Sequence, residues 1–158
     1  MTTLPDFLLA RIAEDEEVAR ACVKDYPPPW GIEEIGAAER TRWHDAGFTV
    51  DGHVTLTCAG GTGDLATDGY VEAPTGHHIA RHDPARVLAE CEGRRDIVSH
   101  WRSADADMSR AARAATRGDA LADELGLAAD RVMQAMECVL RHLALPYADH
   151  PDFDPAWR

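Results

Sequence analysis

The sequence has almost no lysine, few aromatic residues and no long apolar run. Lys24 stands alone against fifteen arginines, and alanine is the commonest residue, a composition expected of GC-rich coding DNA. Basic residues number 16 against 28 acidic ones, for a formal charge of −12. A duplex-DNA ligand needs a basic face to neutralise its phosphates, so direct nucleic-acid binding is not expected. No stretch approaches the ~18 consecutive apolar residues of a membrane span. The start MTTLPDFLLARIAEDEE has neither a basic n-region nor a small-residue cleavage site. Neither membrane association nor export is expected, which places the protein in the cytoplasm. No CxxC pair occurs among Cys22, Cys58, Cys91 and Cys138, which excludes a compact zinc signature and predicts thiols rather than disulfides. Cys22 and Cys91 fall on apolar helix faces, as small buried hydrophobes do. What is present, 158 residues with 45% hydrophobic, suits one compact domain over residues 1–158.

Along that chain the pattern predicts an α+β, mainly helical fold. Thr3-Leu4-Pro5-Asp6 reads as a helix start, with a capping hydroxyl, a proline where its missing N–H is harmless, and an acid at the positive helix end. The first helix is expected within residues 1–25, with Leu4, Leu8, Ile12, Ala19, Cys22 and Val23 on one side. Pro27-Pro28-Pro29 then predicts a stiff surface connector from Asp25 to Gly36. Over residues 43–73 the period shifts to two: Phe48, Val50, His53, Val54, Leu56, Cys58, Tyr70 and Val71, with a turn at Asp51-Gly52, predict a small antiparallel hairpin or three-stranded sheet. Ala73-Pro74-Thr75-Gly76 reads as a break. Three helices are expected over residues 77–145. One starts at Asp83-Pro84 and carries Val87, Leu88, Cys91, Val98 and Trp101. The second runs from about Asp105 to Arg117 and stops at Gly118. The last places Leu125, Ala129, Val132, Met136, Leu140 and Leu143 on a single stripe up to Pro146. The tail over residues 146–158 is too apolar to float, and Tyr147, Phe153 and Trp157 are expected to dock on the helices.

Two blocks, HIARHDPARVLAE from His78 to Glu90 and LALPYADHPDFDPAWR from Leu143 to Arg158, together with DFLLARIAEDEEVAR near the start, carry a resemblance. The chain resembles a family of small proteins from actinobacteria and their phages, catalogued as a domain of unknown function. That resemblance implies no activity, cofactor or partner. Many relatives place a Cys-rich, zinc-like segment between the two blocks, whereas Ser103 to Asp130 here contains no cysteine, so a metal role of that segment does not carry over.

Among side chains that could do chemistry, His78 and His82 lie four apart beside Asp83, and the tail adds Asp149, His150 and Asp152. Imidazoles with a carboxylate suit Zn²⁺ or Mn²⁺, and His78, His82, Asp83 and His150 form the candidate metal set. Against it, Asp83 is explained as a helix cap, and Asp149 and Asp152 flank prolines where turns need side-chain acceptors. Cys138 and His142, also i and i+4, could supply two zinc ligands or a thiolate beside its base. Gly60-Gly61-Thr62-Gly63 lacks the lysine of a phosphate loop and is followed by Asp64, which would repel phosphate. Ser99-His100 with Asp96 has no strained elbow.

No cofactor is expected on these grounds, and a divalent metal belongs to the alternative reading alone. The leading expectation is a small accessory protein that binds another protein, with homo-oligomerisation as one form of that. The alternative is a metal-dependent hydrolase or a metal-stabilised domain using the His/Asp set. A further alternative is an acidic mimic of nucleic acid built on Glu14 to Glu17, Glu33-Glu34, Asp119, Asp123-Glu124 and Asp130, aimed at a DNA-binding protein.

Overall fold

The computed structural model describes residues 2–46, 51–59 and 70–158. Their elements run α1 (Leu4–Asp25), β1 (Gly31–Glu34), α2 (Ala37–Asp45), β2 (His53–Thr57), β3 (Val71–Glu72), α3 (Ala73–Arg81), α4 (Pro84–Thr116) and α5 (Ala122–Ala144), then 3-10 turns at Leu145–Tyr147 and Pro155–Trp157. The mainly helical α+β class with one small antiparallel sheet is therefore as the sequence predicts. Two compact units form, residues 1–14 with 91–158, and residues 15–90. Helices α1 and α4 contribute turns to both.

The first unit is helical. Thr3 opens α1 by accepting the Asp6 N–H at 3.4 Å, while its hydroxyl donates to the Asp6 carboxylate at 2.6 Å, so an orphan donor of the first turn is satisfied. Spacings of three and four then put Leu4, Phe7 and Leu8 on one face. They meet Val98 of α4, Leu140 and Ala144 of α5 and Phe153 of the tail in one buried cluster. The tail docks as expected. The Phe7 ring lies 6.3 Å from Tyr147, 6.0 Å from Phe153 and 4.9 Å from Trp157 between centroids. The predicted division of α4 into two helices near Trp101 is corrected by the structure. Residues 102–108 contain neither proline nor glycine, and the buried Ala104 and Ala111 continue the inward face, so nothing stops the helix until its end. There Gly118 takes a φ of +75°. Its N–H donates to Ala115 at 2.9 Å, and the Asp119 N–H donates to Ala114 at 3.1 Å. This is the glycine-ended helix terminus that satisfies the last carbonyls.

The second unit holds the sheet, in the order β1-β2-β3 with both pairs antiparallel. Gly31 faces Thr57 and Glu34 faces Val54, while His53 faces Glu72 and Val54 faces Val71. Buried Val54 and Leu56 alternate with half-buried His53, Thr55 and Thr57, the period of a strand with one covered face. Gly52 makes the predicted turn at a φ of +77°. Three expectations need correction. The connector from Asp25 to Gly36 contains β1, because the proline run ends at Pro29 and the backbone of the next residues is free to pair with β2. Residues 43–45, where the period-two region was expected to begin, are the last turn of α2. Ala73-Pro74-Thr75-Gly76 is the first turn of α3 and not a break, since Pro74 occupies the helix start, where no N–H is needed. Phe48, Val50 and the Gly60-Gly61-Thr62-Gly63 run lie outside the described residues.

Candidate functional site

The His78–Asp83 block sits at the junction of α3 and α4 in the second unit. The rings of His78 and His82 are 4.5 Å apart between centroids, so the four-residue spacing does bring them onto one face. His82 Nδ1 is 2.9 Å from the carbonyl of His78. Asp83 is the α4 cap: Oδ1 accepts the Arg86 N–H at 2.8 Å and Oδ2 accepts the Trp30 N–H at 3.4 Å. Both oxygens are thus engaged with backbone donors. Replacing Asp83 by alanine will lower stability by about 0.5–2 kcal/mol, with asparagine close to wild type, as denaturant midpoints will report.

His150 belongs to the first unit, in the tail, and there it serves another purpose. The Arg11 guanidinium contacts His150 Nε2 and donates to Glu14 at 2.7 Å. The Asp152 N–H donates to His150 Nδ1 at 3.1 Å. Nε2 thus faces the buried arginine while Nδ1 belongs to the tail's own turn, and the His150 ring packs 5.8 Å from Phe7. Among the described residues, no group of three or more His, Cys, Asp and Glu side chains converges as a metal set.

Cys138 and His142 lie on the exposed side of α5. His142 Nδ1 is 2.8 Å from the carbonyl of Cys138 and 3.7 Å from its sulfur. His100 does the same with the carbonyl of Asp96, at 2.8 Å. Three histidines thus fold back on the carbonyl four residues earlier, which gives the i, i+4 pairs a local explanation.

Two concave places are better candidates for binding. In the second unit a cavity of about 230 Å³ is lined by Asp15, Val18, Ala19 and Cys22 of α1, by Trp30, and by His82, Pro84 and Val87. It puts Cys22 and His82 on the wall of one cavity, a placement no sequence spacing signals. In the first unit a larger groove of about 570 Å³ runs between the distal half of α4 and the first half of α5. Its floor is made of alanines 104, 111, 114 and 129, its α4 rim of Asp107, Arg110 and Arg117, and its α5 rim of Leu125, Ala128 and Val132. Small residues let the two helices approach closely, and a Cβ on Gly126 would stand 3.7 Å from that of Ala111.

The α5 rim corrects the single predicted stripe. Ala129 and Leu140 are buried, yet Leu121, Leu125, Val132 and Val139 are 60%, 56%, 48% and 39% exposed. Isolated exposed apolar side chains are ordinary; four on one helix face are not. The sequence reading missed this face because it merged inward and outward apolar positions. Spacing of three and four from Leu121 onward was the signal that could have separated them. Six acids are in ion pairs with arginine: Asp6 with Arg102, Glu14 with Arg11, Glu16 with Arg20, Glu90 with Arg86, Asp107 with Arg110 and Glu137 with Arg141.

A family model, that of the family of unknown function DUF6221, matches residues 1–158. No curated protein matches the chain, and no solved structure does. No helix among the described residues is long and apolar enough to cross a membrane.

Proposed function

The chain belongs to that family of unknown function, and we propose that it is a small protein-interaction module that binds through the outer face of α5. The observation that carries this reading is the row of Leu121, Leu125, Val132 and Val139, left open to solvent beside an alanine-floored groove. Fully burying one such side chain contributes about 1.5–3 kcal/mol, so covering four that are already half-covered yields several. That is the scale on which a short apolar ridge anchors a helix-in-groove complex.

The reading predicts a specific loss. Protein carrying Leu125→Glu and Val132→Glu will fold with unchanged helix content, because both side chains already face water. It will fail to retain whatever the wild-type chain retains in affinity capture from cells that express it. Equal retention by the two proteins would refute the reading.

A further inference from the structure

We infer that the partner of α5 is a second copy of this chain, paired antiparallel about a twofold axis. This inference rests on the interaction reading above and names its partner. It starts from a regularity in α5 that a single apolar stripe hides. Ala122, Gly126, Ala129, Met133, Met136 and Leu140 recur at spacings of four and three, and these are the buried or half-buried positions. Leu121, Leu125, Ala128, Val132, Ala135 and Val139 repeat the same spacings one residue earlier, and all six are exposed. Each set is a heptad seam. An offset of one residue turns the second seam about 100° from the first. A helix in a four-helix bundle meets its two neighbours at about that angle. The chain's own fold covers one seam, and the other is left for a helix that the described residues do not supply.

Charge selects which helix. Of the positions flanking the open seam, Ala122, Ala129 and Met136 on one side are turned into the chain's own fold, so only the other flank can meet a partner. That flank holds Glu124 and Arg131, both exposed. Neither has an ion-pair partner among the described residues, and at seven apart they cannot reach one another along the helix. Set two copies of α5 antiparallel, so that Leu121 of one packs on Val132 of the other and Leu125 on Ala128. Glu124 of each then stands beside Arg131 of the other, and the symmetry makes the pair twice. Sliding by one heptad to match Leu121 with Val139 would instead place Arg131 against its own copy. A parallel pairing would require the flank that is already covered. The rest of the hairpin agrees with this arrangement. Residues 109–117 carry three arginines and no acid, while residues 118–130 carry four acids and no base. A second α5 laid along the groove therefore brings acids toward the two arginines of the α4 rim, Arg117 and Arg110, the latter already paired with Asp107. Closing two such hairpins on each other would fill both grooves, with Leu125 and Val132 as knobs over the alanine floors.

Sedimentation equilibrium of the purified full-length chain tests this pairing. Wild-type protein is expected at twice the chain mass. Glu124→Arg and Arg131→Glu should each weaken the dimer roughly tenfold, since each replaces two attractive contacts by two repulsive ones. The double variant should return to within about threefold of wild type, and circular dichroism should be the same for all four proteins. A wild-type chain that stays monomeric at high micromolar concentration overturns the second-copy inference, as does a dimer that survives Leu125→Glu with Val132→Glu, or a double charge variant no better than the single ones. A monomer whose capture of a different protein is abolished by Leu125→Glu with Val132→Glu overturns the inference while leaving the interaction reading standing. A monomer whose capture is indifferent to that pair overturns both.

Discussion

Replacing Phe7 by alanine will cost the first unit about 3–5 kcal/mol, the range for removing a large aromatic side chain from a packed core. The side chain is 1% exposed, and its ring is the common neighbour of Tyr147, His150, Phe153 and Trp157. Edge-on contacts of this kind add to what area burial alone provides. Its loss therefore acts twice, opening a cavity beneath α1 and removing the surface on which the tail is folded. Because total stabilities of such domains are about 5–15 kcal/mol, the change takes a large share. Chemical denaturation will show the drop in midpoint, and limited proteolysis will show the last dozen or so residues cut far sooner than in wild type. A tail equally protected in the variant would mean that Phe7 is not its anchor.

In the second unit the corresponding position is a residue with no side chain. A Cβ on Gly76 of α3 would lie 2.5 Å from Val54 Cγ2, 3.1 Å from Val71 Cγ2 and 3.5 Å from Ile32 Cγ2, one valine or isoleucine from each strand. Alanine at this site gains about 1 kcal/mol of helix propensity. It then meets branched side chains held by the strands, which have little freedom to move. Overpacking of this kind costs about 1–3 kcal/mol, and Gly76→Ala should be a net loss despite the better helix former. Gly126 of α5 provides the contrast: its added Cβ meets only the Ala111 methyl, at ordinary contact distance, so Gly126→Ala should be neutral or stabilising by up to about 1 kcal/mol. Thermal melts of the two variants should move in opposite directions.

Several helix starts and stops were legible in the sequence from local signals, although Pro74 at the start of α3 was read as a break. Thr3 with Pro5, Asp83 with Pro84 and Gly118 all act where their chemistry places them, because capping depends on only a few neighbouring residues. The docked tail was legible for a different reason, since three aromatics at a terminus have little to gain from water. Strand β1 was not, because Gly31-Ile32-Glu33-Glu34 carries no alternation and becomes a strand only by pairing with β2. Nor was the continuity of α4, whose alanine- and arginine-rich middle gives no periodic signal until α5 is there to pack on it. The candidate chemistry shows the same limit. Spacing brought His78 to His82 and Cys138 to His142 correctly. It could not say that His82 and His142 each turn one ring nitrogen toward a carbonyl one turn back, nor that the His150 ring would lie against Arg11 and Phe7. The α5 seam was written in the sequence throughout, as a second set of apolar positions one residue out of step with the first. Burial separates the two sets, and burial is a tertiary property.

The most direct measurement is photo-cross-linking from the α5 face in living cells that express the protein. A photoreactive amino acid at Leu125 should give a covalent protein adduct of discrete mass, while the same group at Glu92, an exposed position on α4, should give none. No adduct from position 125, or the same adducts from both positions, would contradict the account that the outer face of α5 is where this protein binds.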